Sequence, residues 1–230
     1  MNELTNIDTS FSETIRNSDL KGVSVDFAEN LMDALLKDGL AKDIPIIGTI
    51  VGFGQLATNL KDKIFLRKII HFLSGISHIS TQKRQKMIDE VNESKNQKIK
   101  VGEKLIYILD KCDDHISAKY VAQLFCAFLD NKISYKDFLK GSRIIQNIFL
   151  ADLEYFIETD SKNFEYSARA EEIPNEDELP FINAGICGFG YSDTFLENVG
   201  FGEKEIRGGD GVVWMTDIGK KLKDILKKEE

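Results

Sequence analysis

The sequence predicts a mainly α-helical protein, in which a helical bundle over residues 1–159 precedes a small, acidic, winged-helix-like α/β module over residues 160–230. Through most of the first part, apolar residues recur at the three- and four-residue spacing of an amphipathic helix. One stretch within it, residues 44–73, begins with a segment that carries three glycines and no charge. After residue 160 the chain becomes acidic and glycine-rich, and short strand-like runs replace the helical periodicity.

The bundle is expected to form around the glycine-bearing apolar helix of residues 44–73. Asp43 is a suitable N-cap and Pro45 lies in the first turn, where a missing N–H costs nothing. A glycine inside a helix lowers its stability by about 1 kcal/mol relative to alanine, which favours a position where another helix packs closely against the bare backbone. We therefore predict an interaction surface at Pro45, Gly48, Gly52 and Gly54.

The same stretch has an alternative interpretation as a membrane-active segment. Gly48 and Gly52 have the GxxxG spacing of paired membrane helices, and the 17 uncharged residues 44–60 lie at the lower limit for a span. Polar side chains inside the segment, such as Thr49, argue against a permanent span because lipid offers them no hydrogen bonds. In this interpretation an anionic membrane surface would be contacted by Lys61, Lys63, Arg67 and Lys68.

The helices on either side of the uncharged segment are predicted from periodicity. The chain begins with a polar leader, and a helix at about 25–37 follows it and ends at Gly39. In the helix at 61–76, a wide apolar face lies opposite Lys63, Arg67 and His71.

Later helices of the bundle are expected at about 81–92, 97–112 and 117–129. Ser134 is expected to cap a long helix over residues 135–158. The bundle would end with this helix.

The C-terminal module is predicted from turn residues and one cap. The sequence ELPFINAGICGF indicates a short helix broken by glycine, and GEKEIRGGDGVVWMT indicates a hairpin that turns at GGDG. Strands are expected only after Glu178, and Trp214 is expected to pack inward against the closing helix that Thr216 caps.

The charge composition restricts the classes of partner that the chain is expected to bind. The 230 residues carry a formal charge of −8, divided as +2 over residues 1–150 and −10 over residues 151–230. Because the acidic C-terminal part is repelled by phosphates, nucleic acid is not an expected partner. The expected partner is another protein or a second copy of the chain. Unpaired cysteines and a polar N-terminus predict a cytoplasmic protein, with membrane association on activation as the alternative.

No catalytic, cofactor-binding or metal-binding residues are predicted. Cys112 to His115 contains possible ligands, but adjacent residues at a helix end point in different directions. His71 and His78 are too far apart for metal-binding helix residues, and they are expected to be ordinary interface or surface histidines. The GFG sequences at 52–54 and 188–190 lack the context of a phosphate loop. Glu203 to Glu205 with Asp193 resembles some nuclease sites, but a charged edge strand explains these residues more simply.

One resemblance covers about residues 24–226. It rests on DALLKDG, the run LAKDIPIIGTIVGFGQLATNLKDKIFLRKIIHFL, the later NKISYKDFLKGSRIIQNIFLADLEYF, a short AGI segment, and a closing hairpin with TDIGKKL. In this layout the chain resembles small bacterial proteins similar to the Abi-alpha type of abortive-infection protein, found near phage-defence genes and ending in a winged-helix-like element. The resemblance implies bacterial origin and a defence context, and it supplies no catalytic residues.

The expected function is that of a non-enzymatic interaction or regulatory protein, in the phage-defence setting that the resemblance implies. The first alternative is a conditional membrane-active effector that uses residues 44–73. A winged-helix DNA-binding regulator is the next alternative, and an enzyme is the last.

Overall fold

The computed structural model describes residues 3–24, 44–52, 60–94, 99–167, 174, 176–201 and 203–227. It confirms a mostly helical protein with a small region of antiparallel strands near the C-terminus. The chain divides into two compact units, residues 1–146 and 147–230.

The N-terminal unit is built from helices. Several begin at side-chain caps: Asp114 accepts a hydrogen bond from Ser117 N at 2.7 Å, and Ser134 accepts one from Asp137 N at 3.1 Å, which confirms the predicted cap. The helices are α1 (Glu3–Asn17), α2 (Pro45–Gly52), α3 (Leu60–Ile76), α4 (Thr81–Asn92), α5 (Val101–Asp110), α6 (His115–Leu129) and α7 (Tyr135–Asn147).

The core of this unit lies where α3 packs along α6. The ring centroids of Phe72 and Phe125 are 5.7 Å apart, and Phe125 meets Phe138 edge to face at 5.3 Å. On the other side, Phe72 contacts Phe11 of α1 at 6.1 Å. The central helix is therefore α3, which contains the charged second half of the 44–73 stretch.

The predicted polar leader is wrong, because these residues form α1. Its apolar stripe is narrow, and Phe11 and Ile15 at four-residue spacing are buried among polar neighbours. The helix predicted at 25–37 lies outside the described residues.

The long helix predicted over 135–158 is divided in two. Helix α7 ends at Asn147, Phe149 has an extended backbone with φ −64° and ψ 138°, and a new helix, α8 (Leu150–Glu158), begins after it. The division between the two units falls at this break, earlier than the boundary expected near residue 160, so α8 belongs to the C-terminal unit.

The C-terminal unit contains two small antiparallel sheets. The first has the strand order β1–β5–β2, and the second pairs β3 with β4. A short 3-10 helix at Ser161–Phe164 follows α8. The other elements are β1 (Tyr166–Ser167), α9 (Leu179–Ala184), β2 (Cys187–Tyr191), β3 (Phe195–Gly200), β4 (Glu203–Arg207), β5 (Gly211–Met215) and α10 (Asp217–Leu226).

Two predictions about the strands are wrong. The strands on either side of GGDG do not pair with each other, because β4 pairs with β3 and β5 pairs with β1 and β2. Strands are also not confined to the region after Glu178, since β1 precedes it.

The short helix α9 and the closing helix α10 were predicted in part. Gly185, with φ 86°, ends α9 in a left-handed cap, and the rest of the predicted helix forms β2 instead. Thr216 caps α10 as predicted, accepting a hydrogen bond from Gly219 N at 3.1 Å.

Trp214 does not pack inward as predicted. Val213 and Met215 face the interior of this unit, so the alternation of a strand places Trp214 on the opposite face, where it is 45% exposed. There the indole lies over Gly188, its neighbour across the sheet, and a Cβ at position 188 would be 2.6 Å from the ring.

Candidate interaction surfaces

The surface predicted around the glycine segment is partly covered by the chain itself. Helix α2 begins at Pro45, as predicted, and it ends at Gly52. Helix α1 packs against it: Ile46 N donates to Thr14 Oγ1 at 3.0 Å, and the hydroxyls of Ser10 and Thr49 are 2.6 Å apart. Gly48 lies in the middle of α2, and its N–H donates to Ile44 O at 3.0 Å. Gly54 lies outside the described residues.

The four predicted basic residues occupy different environments. Lys61 and Arg67 are exposed and Lys63 is half-buried, all in the first two turns of α3. The exposed apolar side chains Leu60 and Ile64 lie among them. Together these five residues form a basic amphipathic patch.

Lys68 is not part of the patch. Its side chain is buried, with the residue only 7% exposed, and the ammonium donates hydrogen bonds to the carbonyls of Asp110 and Cys112. Lys68 therefore caps the C-terminal end of α5, where backbone carbonyls have no partner within the helix.

His71 is buried, whereas the sequence placed it on the polar face of α3. Its ring lies 4.5 Å from that of His115 on α6. Burial, together with the positive charges of His115, Arg67 and Lys119, lowers the pKa of His71 to about 4. The sequence could not show this because α6 covers the face in three dimensions.

Cys112 is a buried free cysteine, and Cys126 is a partly buried one. Cys112 Sγ donates to Ile108 O at 3.4 Å, and burial raises the pKa of the Cys112 and Cys126 thiols to about 12. Within the described ranges, no group of three or more histidine, cysteine, aspartate or glutamate side chains is placed to hold a metal ion. Among the same residues, no helix combines the length and apolar character needed to cross a membrane.

The most exposed apolar surface of the C-terminal unit is the β3–β4 hairpin, residues 195–207, here called the arm. Every residue of the arm that the structure describes is exposed. Leu196 pairs with Ile206 on one face, and these residues are 63% and 76% exposed. Phe201 at the tip is fully exposed and has a positive φ of 51°, which is uncommon for a bulky residue.

The other face of the arm is charged. Glu197 and Glu205 are opposite each other across the strands, and Arg207 neutralises both, at 2.8 Å and 3.4 Å. Of the acidic residues that resemble a nuclease site, Glu203 and Glu205 therefore lie on this exposed hairpin, Asp193 precedes it, and Glu205 is held by Arg207.

The base of the arm is closed by backbone contacts. Ser192 N donates to Asp210 O at 2.9 Å, and Asp210 N donates to Ser192 Oγ at 3.0 Å. Gly208, with φ 89°, passes so close to Asp193 O that a Cβ would lie 2.1 Å from it. The GGDG sequence thus forms the base of the arm and not the predicted turn between β4 and β5.

Sequence reasoning missed the arm because β3 was not recognised. A signal was available: Gly-Phe-Gly at 200–202 is turn-prone, and FLENV before it and EKEIR after it both contain mixed apolar and charged residues.

Comparisons with protein-family models, with curated proteins and with solved structures found no match for this chain.

Proposed function

We propose that this chain is a non-enzymatic interaction protein whose C-terminal unit contacts a protein partner through the arm. The observation that carries the proposal is the exposure of Leu196, Ile206 and Phe201 on one hairpin. Large apolar side chains grouped in water are unfavourable, and such groups mark interaction sites more often than isolated apolar residues do. Strand pairing at a hairpin edge is a common way of adding a partner.

The topology supports a winged-helix-like module. In that fold a three-stranded antiparallel sheet has its last strand in the middle, and the wing connects the two strands that follow the recognition helix. Here the order β1–β5–β2 has that form, α9 precedes β2, and the arm occupies the position of the wing.

A protein partner suits this module better than a DNA duplex. The sequence of α9 is LPFINA, with Phe181 buried, and it offers none of the basic or amide-rich surface that reads a major groove except Asn183. The arm itself carries Glu197, Glu203 and Glu205 against Lys204 and Arg207. We therefore propose no nucleic-acid partner.

The resemblance to the Abi-alpha type supports a bacterial phage-defence context for this interaction. The cellular test is expression of the chain in a bacterial host challenged with phage. We expect the wild type to lower the efficiency of plaque formation and the variant Phe201→Ser to lose that effect. Equal plaque formation with and without the wild-type chain would reject the defence context while leaving the interaction proposal to its own test.

The first partner to test is a second copy of the chain. Sedimentation velocity over a range of concentrations should show association of the wild type, and the double variant Leu196→Ser/Ile206→Ser should remain monomeric. Phe149→Ser is a matched control, because Phe149 is also exposed but lies outside the arm. All variants should keep the wild-type melting temperature, since the altered side chains are exposed.

A photo-crosslinking residue placed at position 201 or at position 149 extends the test to a different partner in the host. Crosslinks to one defined protein at position 201 and not at position 149 would support the proposal. A monomeric wild type without any crosslink specific to position 201 would reject it.

A second candidate function is contact with an anionic membrane surface, favoured by the basic amphipathic patch of α3. Exposed Leu60 and Ile64 surrounded by cationic side chains are typical of helices that lie on lipid. Co-sedimentation with phosphatidylserine vesicles tests this. Binding that is lost in Leu60→Ser/Ile64→Ser, and retained in Leu196→Ser/Ile206→Ser, would favour this second function over the first.

A further inference from the structure

A cavity of about 540 Å³ lies within the C-terminal unit, in the size range of small-molecule and side-chain pockets. Helix α8, the 3-10 helix, β1 and α9 all contribute to it. Its lining includes Asp152, Tyr155, Phe164, Glu176, Glu178 and Phe181.

Aromatic rings form one part of the cavity wall. Phe164 and Phe181 meet edge to face with centroids 5.1 Å apart, and Tyr155 lies 6.3 Å and 6.2 Å from them. The face of an aromatic ring is electron-rich and attracts a cation, most strongly where water is excluded. Phe164 and Phe181 are buried, so their rings are shielded from bulk water.

One of these rings already contacts a cation within the unit. The ammonium of Lys223 lies 5.4 Å from the centroid of Phe164 and 4.7 Å from that of Phe156. The same ammonium donates hydrogen bonds to the carbonyls of Phe156 and Thr159 at the end of α8. This cluster of rings is thus compatible with a positive charge in its native packing.

Four carboxylates form another part of the wall. Asp152, Glu176, Asp177 and Glu178 line the cavity, and none of the lining residues that the structure describes is basic. Such an arrangement creates a negative potential inside a partly desolvated space, which attracts a positive ligand.

The hydroxyl of Tyr166 is a further polar group at this wall. It is buried beside the Glu178 carboxylate. Burial and the neighbouring Glu178 carboxylate raise the pKa of Tyr166. A neutral phenol at this position can accept a hydrogen bond from an N–H donor.

We propose that this cavity binds a protonated amine or guanidinium on an aliphatic stem, as carried by a lysine or arginine side chain of another protein or by a free polyamine. Aromatic faces and carboxylates together match both parts of such a ligand, the apolar stem and the cationic head. A bare metal ion suits the cavity less well, because among the described residues the carboxylates are not grouped as metal ligands. The proposal goes beyond the arm and does not depend on it.

The test is a titration of the whole 230-residue chain, monitored by saturation-transfer NMR and by calorimetry. The probes are N-acetyl-arginine amide, N-acetyl-lysine amide and spermidine, and the neutral comparison is N-acetyl-citrulline amide. We expect the arginine or lysine probe to bind at least about tenfold more tightly than the citrulline probe, since only the cations gain from the carboxylates and rings. Binding should weaken as the salt concentration rises.

Variants locate the binding in the cavity. Glu178→Gln should weaken binding of the arginine probe about three- to tenfold, while Glu154→Gln should leave it unchanged, because Glu154 lies on α8 but does not line the cavity. Should Glu178→Gln alter the fold, Glu176→Gln/Asp177→Asn serves the same purpose, since both side chains are exposed.

The outcomes distinguish a partner's side chain from a free polyamine as the source of the ligand. They also distinguish the cavity proposal from the proposal about the arm. Binding of the amino-acid probes assigns the site to a partner's side chain, and binding of spermidine alone assigns it to a free polyamine. Equal binding of the citrulline probe, no binding of any cation, or displacement of the arginine probe by micromolar Ca²⁺ would overturn the proposal. The variant Phe201→Ser should lose association through the arm and keep the probe affinity, so failure of one proposal is distinguishable from failure of the other.

Discussion

Arg84 Nη1 donates a hydrogen bond of 2.7 Å to the carbonyl of Ile15, in the last turn of α1. The same guanidinium donates from Nη2 to Ser18 O at 2.6 Å and from Nε to Ile79 O at 3.2 Å. Arg84 is almost completely buried, so it neutralises the end of α1 from inside the unit. Carbonyls at a helix end have no partner within the helix and carry partial negative charge, which a cation compensates.

Two buried lysines have the same role. Lys68 contacts the carbonyls at the end of α5, and Lys223 contacts those at the end of α8. Burying a cation is unfavourable unless it is paired, and here backbone carbonyls supply the pairing in place of carboxylates. Each of these helices therefore ends without the usual glycine.

The first prediction is that Arg84→Met destabilises the N-terminal unit by about 2–4 kcal/mol, because it leaves several buried carbonyls without a donor. Urea unfolding followed by far-UV circular dichroism measures this. The adjacent Lys83→Met is the control, since Lys83 makes a partly exposed ion pair with Asp130 at 2.6 Å and its loss should cost at most about 1 kcal/mol. Equal effects of the two substitutions would contradict the capping role.

The second prediction concerns the only tryptophan. Gly188→Ala should displace the Trp214 indole from the sheet and shift its emission to longer wavelength, because a Cβ would lie 2.6 Å from the ring. Gly190→Ala is the control with a smaller expected shift. Its Cβ would be 3.3 Å from the ring, so the indole needs to move only slightly. Wild-type emission should already lie between that of buried and fully hydrated tryptophan. An unchanged spectrum in Gly188→Ala would show that the indole does not lie over this glycine.

The sequence predicted those parts of the fold that depend on local chemistry. The start of α2 at Pro45, the caps Ser134 and Thr216 and the positions of most amphipathic helices follow from residues close in sequence. Long-range relationships were not predictable in this way. The pairing of β5 with β2 and β1, and the covering of His71 by α6, depend on which elements meet in space.

The candidate interaction surfaces and the cavity were also difficult to predict from the sequence, because they depend on which elements meet in space. Lys68 has the sequence context of an exposed membrane anchor, and only the approach of the α5 end explains its burial. The arm and the acidic, aromatic cavity bring together residues from different strands and helices, so no single motif identifies them. Close packing against helix glycines was predicted at Gly48, Gly52 and Gly54 and stays a prediction there, whereas the close contacts at Gly75 and Gly102 were not predicted.

The third prediction tests one of those contacts. Gly102 in α5 faces α1, and a Cβ there would lie 2.1 Å from Ser12 Oγ and 2.9 Å from Ser12 Cα. Gly102→Ala should destabilise the unit by about 1–3 kcal/mol through overpacking, reduced by up to about 1 kcal/mol of improved helix propensity. Gly22→Ala is the control, because no atom lies within 4 Å of the added Cβ and its φ is not positive. Thermal unfolding compares the two, and a Gly102→Ala protein as stable as Gly22→Ala would contradict the close contact of α1 with α5.

The fourth prediction is a pH dependence of stability that arises from His71. Its pKa is lowered from the ordinary 6.5 to about 4, chiefly by burial, so between these values the unfolded chain binds a proton that the folded chain does not. As the pH falls through this window, proton binding stabilises the unfolded state relative to the folded state. The free energy of unfolding therefore decreases. The stability lost between about pH 6.5 and pH 4 is on the order of 2 kcal/mol, because one pKa unit corresponds to about 1.4 kcal/mol and solvent screening reduces the full shift.

His71→Phe removes this titration while keeping a ring beside His115. Urea unfolding of the wild type and the variant at several pH values between 4 and 7 should give a smaller pH dependence in the variant. His78→Gln is the comparison variant, since His78 is exposed in the turn that follows α3 and does not contact His115 as His71 does. Carboxylates titrate in part of this range, but they are common to all three proteins and cancel in the comparison. A His71→Phe slope equal to that of the wild type would mean that His71 takes up its proton in the folded state as readily as in the unfolded chain, and that its contact with His115 does not oppose the charge.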